Sequence, residues 1–303
     1  MKTQLTDVPD WFQAYTTLPR NDHSITVDDA AIHYQTWDQT QDQSQYDHES
    51  KQGLLFVHGH AAHSHWWDFI APAFIENYRV AAMDMSGTGD SDHRYAYSAR
   101  GFAEEIYQVA RTLGEKTIVV GHSLGGTMTR VCGHLHGKDL GGIVIIDSNI
   151  SSTRGSRTPP PMPKKKERVY PSLAAGMRRF RLRPAQPAPA DYVGQYIAAH
   201  SLKENDAGFS FKLDPAVFAK MTEASGLPDA VVMVKEMPCP VGFIYGEKSV
   251  FFPQANVEHL RSLIPEPLLK GIAEAHHHVF LDQPQAFCQE LAAILSTLTV
   301  RAA

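Results

Sequence analysis

One stretch of the 303-residue chain carries a nucleophile in a setting that could activate it: Gly121-His122-Ser123-Leu124-Gly125-Gly126. A β-branched run, Thr117-Ile118-Val119-Val120, precedes it, and Thr127 to His136 can continue as a helix. The pattern Gly-x-Ser-x-Gly between strand and helix predicts a sharp turn, the nucleophile elbow. Glycine is required at 121 and 125 because the serine backbone is strained and bulkier neighbours would collide across the turn. The turn lifts the Ser123 hydroxyl clear of a sheet edge, and the helix start beneath it favours developing negative charge. A hydroxyl at its free pKa is a weak nucleophile. It needs a base within hydrogen-bond reach and a third group to orient that base.

The elements around this turn must supply those partners. Ser24-Ile25-Thr26-Val27 and Ala31 to Trp37 read as a hairpin turned at Asp28-Asp29, after a peripheral helix around Trp11-Phe12. Gln39 to Gln52 has no apolar period and reads as a mobile surface loop. Leu54-Leu55-Phe56-Val57, Tyr78 to Asp84 and Gly142 to Asp147 are apolar runs expected of strands buried on both faces. Ala99 to Leu113 has helical spacing and ends at Gly114. Beyond Ser148 the alternation breaks into Pro-, Arg- and Lys-rich chain, with helices expected near Asp191 to Leu202 and Pro215 to Ser225. Alternation resumes at Val241 to Tyr245, then Val257 to Leu263, Pro267 to Ile272, and a final helix from Pro284 to about Leu298. The expectation is an α/β fold with a mostly parallel central sheet, helices on both faces, and a mainly helical cap. Residues 1–147 and 238–303 would form the core and 148–237 the cap.

With 43% apolar residues the chain can bury a full core, and a net charge of -5 gives no reason to expect nucleic acid. The polar start, Met1 to Asp7, lacks an apolar leader core, and no run approaches a membrane span. Cys132, Cys239 and Cys288 are odd in number and far apart, so they read as reduced thiols in a cytoplasmic protein.

Four motifs in order resemble the α/β-hydrolase fold: Val57-His58-Gly59-His60, Asp84-Met85-Ser86-Gly87-Thr88-Gly89-Asp90-Ser91, Gly121 to Gly126, and Ala275 to Pro284. The resemblance covers the chain from about Ile25 onward. It implies a base after the last strand, five residues before an acid that precedes x-Pro. Counting back from Asp282 and Pro284 gives His277, with His276 and His278 beside it. Many relatives carry the third group as an aspartate within Gly-Glu-x-Asp after a later strand. Here Gly246-Glu247-Lys248-Ser249 puts serine there. The fold admits another acid position, at the end of the strand after the elbow helix, where Asp147 stands. Asp147 is therefore preferred, and Glu247 stays open as the alternative. The resemblance further implies an oxyanion hole from the backbone N–H groups of Leu124 and His60. Asp84 to Ser91 is expected to be a structural turn, and His58 to support its loop. Of Trp66 and Trp67, one is expected in the core and the other along an acyl pocket.

His58-x-His60-x-x-His63 also resembles the zinc-binding run of metallo-β-lactamase-type hydrolases, with His122 or His277 as further candidates. That run needs an aspartate where Ala62 stands, so no metal and no cofactor is expected. Arg154 to Arg183 holds ten basic residues and one acidic residue, either a solvated surface or an attractor for an anionic substrate. The implied activity is cleavage of a carboxylic ester, by way of an acyl-enzyme, in a small-molecule ester or related acyl substrate. Carbon–carbon bond, lactone or thioester hydrolysis on the same groups is the alternative, as is a ligand-sensing protein with little turnover.

Overall fold

The computed structural model describes residues 8–37, 51–150, 168–222 and 226–302. The expected loop over 39–52 therefore falls almost wholly outside the described residues, as do Met1 to Asp7 and the basic run from 151 to 167.

The chain begins with α1 (Asp10–Thr16), then the hairpin β1 (Asn21–Val27) and β2 (Ala30–Trp37). It continues through β3 (Gly53–Val57), β4 (Arg79–Met83), α2 (Ala99–Thr112), β5 (Ile118–His122), α3 (Leu124–His136) and β6 (Gly142–Ile146). After the break come α4 (Leu173–Met177), α5 (Asp191–His200), the hairpin β7 (Leu202–Asn205) and β8 (Gly208–Phe211), and α6 (Ala230–Lys235). The chain closes with β9 (Val241–Gly246), α7 (Gln254–Leu263), β10 (Leu269–Ile272), α8 (Val279–Asp282) and α9 (Pro284–Ala302).

Eight strands form one sheet in the order β1-β2-β4-β3-β5-β6-β9-β10. β1–β2 and β2–β4 pair antiparallel, and every other neighbouring pair is parallel. Leu54 to Val57, Ile118 to Val120 and Ile143 to Ile146 are wholly buried, as strands covered on both faces must be. α2 turns Phe102, Ile106, Val109 and Ala110 inward, and Ser98 caps its start by accepting from the Gly101 amide. Because β3, β5, β6, β9 and β10 run parallel, all deliver their following loops to one edge.

The stretch between β6 and β9 departs from the sequence reading. Residues 202–211, next to the expected helix, form a hairpin, closed where Asn205 Oδ1 accepts from the Ala207 amide at 3.0 Å. Over the described part of the helix expected from Pro215 to Ser225, residues 215–222, the only helical element is a 3-10 turn, Phe218–Lys220. Its continuation is taken up by Tyr97. The Tyr97 amide donates to the Lys220 carbonyl at 3.0 Å, and the Thr222 amide donates to the Tyr97 carbonyl at 2.8 Å. Residues 223–225 lie outside the described chain. α6 was not expected from the sequence. Its Asp229 cap accepts from the Val231 and Val232 amides.

Two buried carboxylates tie peripheral chain to the sheet. Asp68 accepts from Arg20 Nη1 at 2.8 Å, Gln35 Nε2 at 2.5 Å and Tyr196 OH at 2.5 Å, joining the N-terminal hairpin to α5. Asp84 accepts from the Ser64 amide at 2.6 Å and the Asp90 amide at 3.0 Å. It also meets His33 Nδ1 at 2.8 Å. Gly89 is required in this turn: its φ is +57°, and a Cβ there would run into the Asp84 carboxylate.

Burial disfavours the charged form of His33, but hydrogen bonds to Asp84 and Asp22 outweigh it and hold the pKa at about 9, above the ordinary 6.5. A group whose pKa is raised on folding stabilises fully below its unfolded value, and the contribution is lost as pH rises through the folded one. The melting temperature of the native chain should thus fall between pH 7 and 10 more steeply than that of His33→Gln, by on the order of 2–5 °C. Parallel melting curves for the two proteins across that range would contradict the assignment.

Candidate active site

Ser123 lies between β5 and α3 with φ 54° and ψ -117°, a conformation that L-residues rarely hold and that costs about 1–3 kcal/mol. Its amide donates to the Ile146 carbonyl at 2.9 Å, fastening the turn to β6. A Cβ on Gly125 would strike the carbonyl oxygens of His58 and Val57, so the elbow packs directly on the exit of β3. Ser123 remains half-buried.

Strand register carries the next residue to the same edge. His122 pairs with Ile146, so Ser123 and Asp147 follow the ends of neighbouring strands. His277 arrives after β10. Its Nε2 stands 2.9 Å from Ser123 Oγ and its Nδ1 2.7 Å from Asp147 Oδ1. An ionised carboxylate can only accept, so Nδ1 carries the proton and Nε2 is free to accept from the serine hydroxyl. His277 and Asp147 are buried, at 3% and 1% exposure, which keeps bulk water from their contact.

The three consecutive histidines separate by environment. The amide of His276 donates to Asp282 Oδ2 at 2.7 Å, and its ring turns to the same oxygen. The His278 amide donates to Gln186 Oε1 at 2.9 Å, and its ring stands against Trp66 and His122. Burial, reinforced by the neighbouring His277 imidazole, pushes the His278 pKa down to about 3. His122 is held neutral in the same way, and its Nε2 meets the His277 carbonyl at 3.0 Å. Glu247 is exposed, and its backbone, not its carboxylate, is tied to β10 through the Ile272 carbonyl. Ser249 is buried and donates from Oγ to Asp147 Oδ1 at 2.7 Å. Its contact with Asp147 was not read from the sequence, where the serine marked only a missing aspartate.

The amides of His60 and Leu124 have no hydrogen-bond partner among the described residues. Gly59 is so close to the elbow that a Cβ on it would lie 3.2 Å from that of Ser123. His60 and Leu124 therefore flank Ser123. The His60 ring packs on Phe218 with centroids 4.4 Å apart, and burial, aided by Arg183, lowers its pKa to about 4. His58 is wholly buried. Its Nδ1 is 2.7 Å from the Gly59 carbonyl, and its Nε2 accepts from the Met85 amide at 3.1 Å. His63 Nε2 lies 2.9 Å from Ser201 Oγ. The zinc-like run thus sends its three rings to three different partners.

Both tryptophans are buried, but in different surroundings. Trp67 packs between Phe56 and Phe280 in the core. Trp66 faces Phe180 and His278, on the side of the active edge. The Phe251 and His277 rings meet in a T-shaped arrangement with centroids 4.9 Å apart, and Phe251 stays partly exposed. Of the basic stretch, Arg168, Arg178, Arg179, Arg181 and Arg183 are described and all are exposed.

Residues 54–290 match the model of the alpha/beta hydrolase family, and the chain belongs to that family. A serine hydrolase-like protein of Danio rerio is 23% identical over 257 residues, covering 77% of this chain and 78% of that one. A pimeloyl-[acyl-carrier protein] methyl ester esterase of Salmonella agona is 22% identical over 263 residues, covering 81% and 94%. Among solved structures, the thioesterase domain from the curacin biosynthetic pathway superposes with a TM-score of 0.73 at 17% identity. That likeness covers 90% of this chain and 99% of that domain, and speaks for the fold.

Proposed function

We propose that this protein is a serine hydrolase that cleaves a carboxylic ester through an acyl-enzyme. The observation that carries the reading is the continuous relay from Ser123 Oγ through His277 to Asp147, with both links under 3 Å. Ser123 attacks the ester carbonyl while His277 Nε2 takes its proton. Asp147 stabilises the resulting imidazolium and holds the ring in its working tautomer. The amides of His60 and Leu124 receive the oxyanion, a role supported by their having no hydrogen-bond partner among the described residues. His277 then returns the proton to the departing alcohol. Water, deprotonated by the same nitrogen, releases the acid and restores Ser123. No cofactor enters any of these steps.

An ester is favoured by the relative that is named as a methyl ester esterase. Residues 148–237 act as the cap in this reading: Phe180 closes over Trp66, and Phe218 over His60. With Phe251, these side chains make an aromatic, largely apolar surround that suits an acyl group. No helix among the described residues is long and apolar enough to cross a membrane. Three unpaired cysteines support residence in the reducing cytoplasm.

Rapid mixing with a chromogenic ester tests the reading. The expected result is a burst of leaving group equal to the enzyme concentration, followed by a slower steady rate. Saturable binding of esters without any release would instead favour a ligand-sensing protein.

A further inference from the structure

Ser249 occupies the place where many members of the fold carry their acid, and it remains connected to the base. It is 6% exposed. Its Oγ donates to Asp147 Oδ1 at 2.7 Å, the same oxygen that meets His277 Nδ1 at 2.7 Å. The other oxygen, Oδ2, accepts from the Gly246 amide at 2.9 Å. The hydroxyl in turn accepts from the Phe251 amide at 3.3 Å. Asp147 itself is held at φ +42°, a strained backbone for a residue with a side chain.

We propose that Ser249 is a positioning residue for catalysis, fixing the Asp147 carboxylate so that one oxygen lies in line with the His277 N–H. The proposal rests on Asp147 being the acid. A second carboxylate at 249 would stand within hydrogen-bond distance of Asp147, and two such groups cannot both ionise. An alanine would leave Oδ1 with His277 as its one donor among the described residues. A hydroxyl meets both demands, because it donates to Asp147 while accepting from the turn that follows β9. The loop after β9 thus still controls the base, one hydrogen bond further away, although the acid comes from β6.

Two consequences separate this role from mere packing. A wandering carboxylate misaligns the base during proton transfer, so turnover suffers and substrate affinity does not. The serine donor also draws charge from the carboxylate, so its loss strengthens the hold of Asp147 on protonated His277. Ser249→Ala should lower kcat about 10-fold with KM within twofold, and should move the acid limb of kcat/KM up by several tenths of a pH unit. Ser249→Thr keeps the hydroxyl and should recover most of the turnover with the native limb. If Ser249→Ala does not fold, Ser249→Cys, a close isostere and weak donor, replaces it in the same measurements. Native kcat and an unmoved limb in the variant lacking the hydroxyl, with Asp147→Asn inactive, would overturn the proposal. An active Asp147→Asn would instead remove the reading on which it rests.

Discussion

Ser123→Ala should lose ester hydrolysis by about four to six orders of magnitude while melting within a few degrees of the native protein. In the proposed mechanism the loss is this large because removing the Ser123 hydroxyl leaves His277 and Asp147 with nothing to activate. Whatever rate survives would come from the oxyanion donors and binding alone. Stability should hold because alanine pays the same backbone strain at φ 54° as serine, and Ser123 anchors the turn through its amide. The hydroxyl makes one intramolecular hydrogen bond among the described residues, to His277. A fluorophosphonate should label the native protein at one serine and leave the variant unlabelled. Retention of more than a few per cent of native activity, with contamination excluded, would remove Ser123 from the mechanism.

What could be read from the sequence follows the range of the interactions. β3, β5 and β6 were legible because each is a short apolar run, and the strands are buried on both faces as such runs require. The turn at Ser123 was legible because its glycines answer to collisions within a few residues and with the exit of β3. His277 was reached through the family spacing to Asp282, and no periodicity in the sequence sets it apart from His276 and His278. What separates the three is tertiary: His276 turns to Asp282, His277 to Ser123, and His278 to Trp66. The same limit hid the fate of residues 215–222. Its residues have helical spacing, yet Tyr97, more than a hundred positions earlier, captures the backbone groups that would have continued the helix. Trp66 and Trp67 were indistinguishable as adjacent letters, and only their aromatic neighbours assign them to different surroundings. Ser249 was noticed for the carboxylate it lacks. Its hydrogen bond to Asp147 spans 102 positions, and no local pattern announces it.

Asp147→Asn should lower turnover by about two to four orders of magnitude, with KM changed far less. An amide in place of the carboxylate keeps the shape but cannot stabilise the imidazolium that forms as Ser123 attacks. It can also present an N–H toward His277 Nδ1 and so favour the wrong tautomer. The Gly246 and Ser249 donors, both now aimed at a carboxylate, would hold that amide less well. Glu247→Gln should stay within a few-fold of native, since its side chain is exposed and makes no hydrogen bond to His277 among the described residues. The reverse outcome, a dead Glu247→Gln beside a near-native Asp147→Asn, would transfer the acid role to Glu247. Near-native rates in both would mean that His277 works without a carboxylate. Adding Ser249→Asp to Asp147→Asn should restore at least 10-fold of the lost turnover. The new carboxylate would arise from the loop after β9, one strand over, within reach of the atoms that Ser249 and His277 already share through Asp147 Oδ1. Recovery would show that this edge of the sheet can take its acid from β6 or from β9, because the base needs a carboxylate oxygen at one point in space and not a particular strand to supply it.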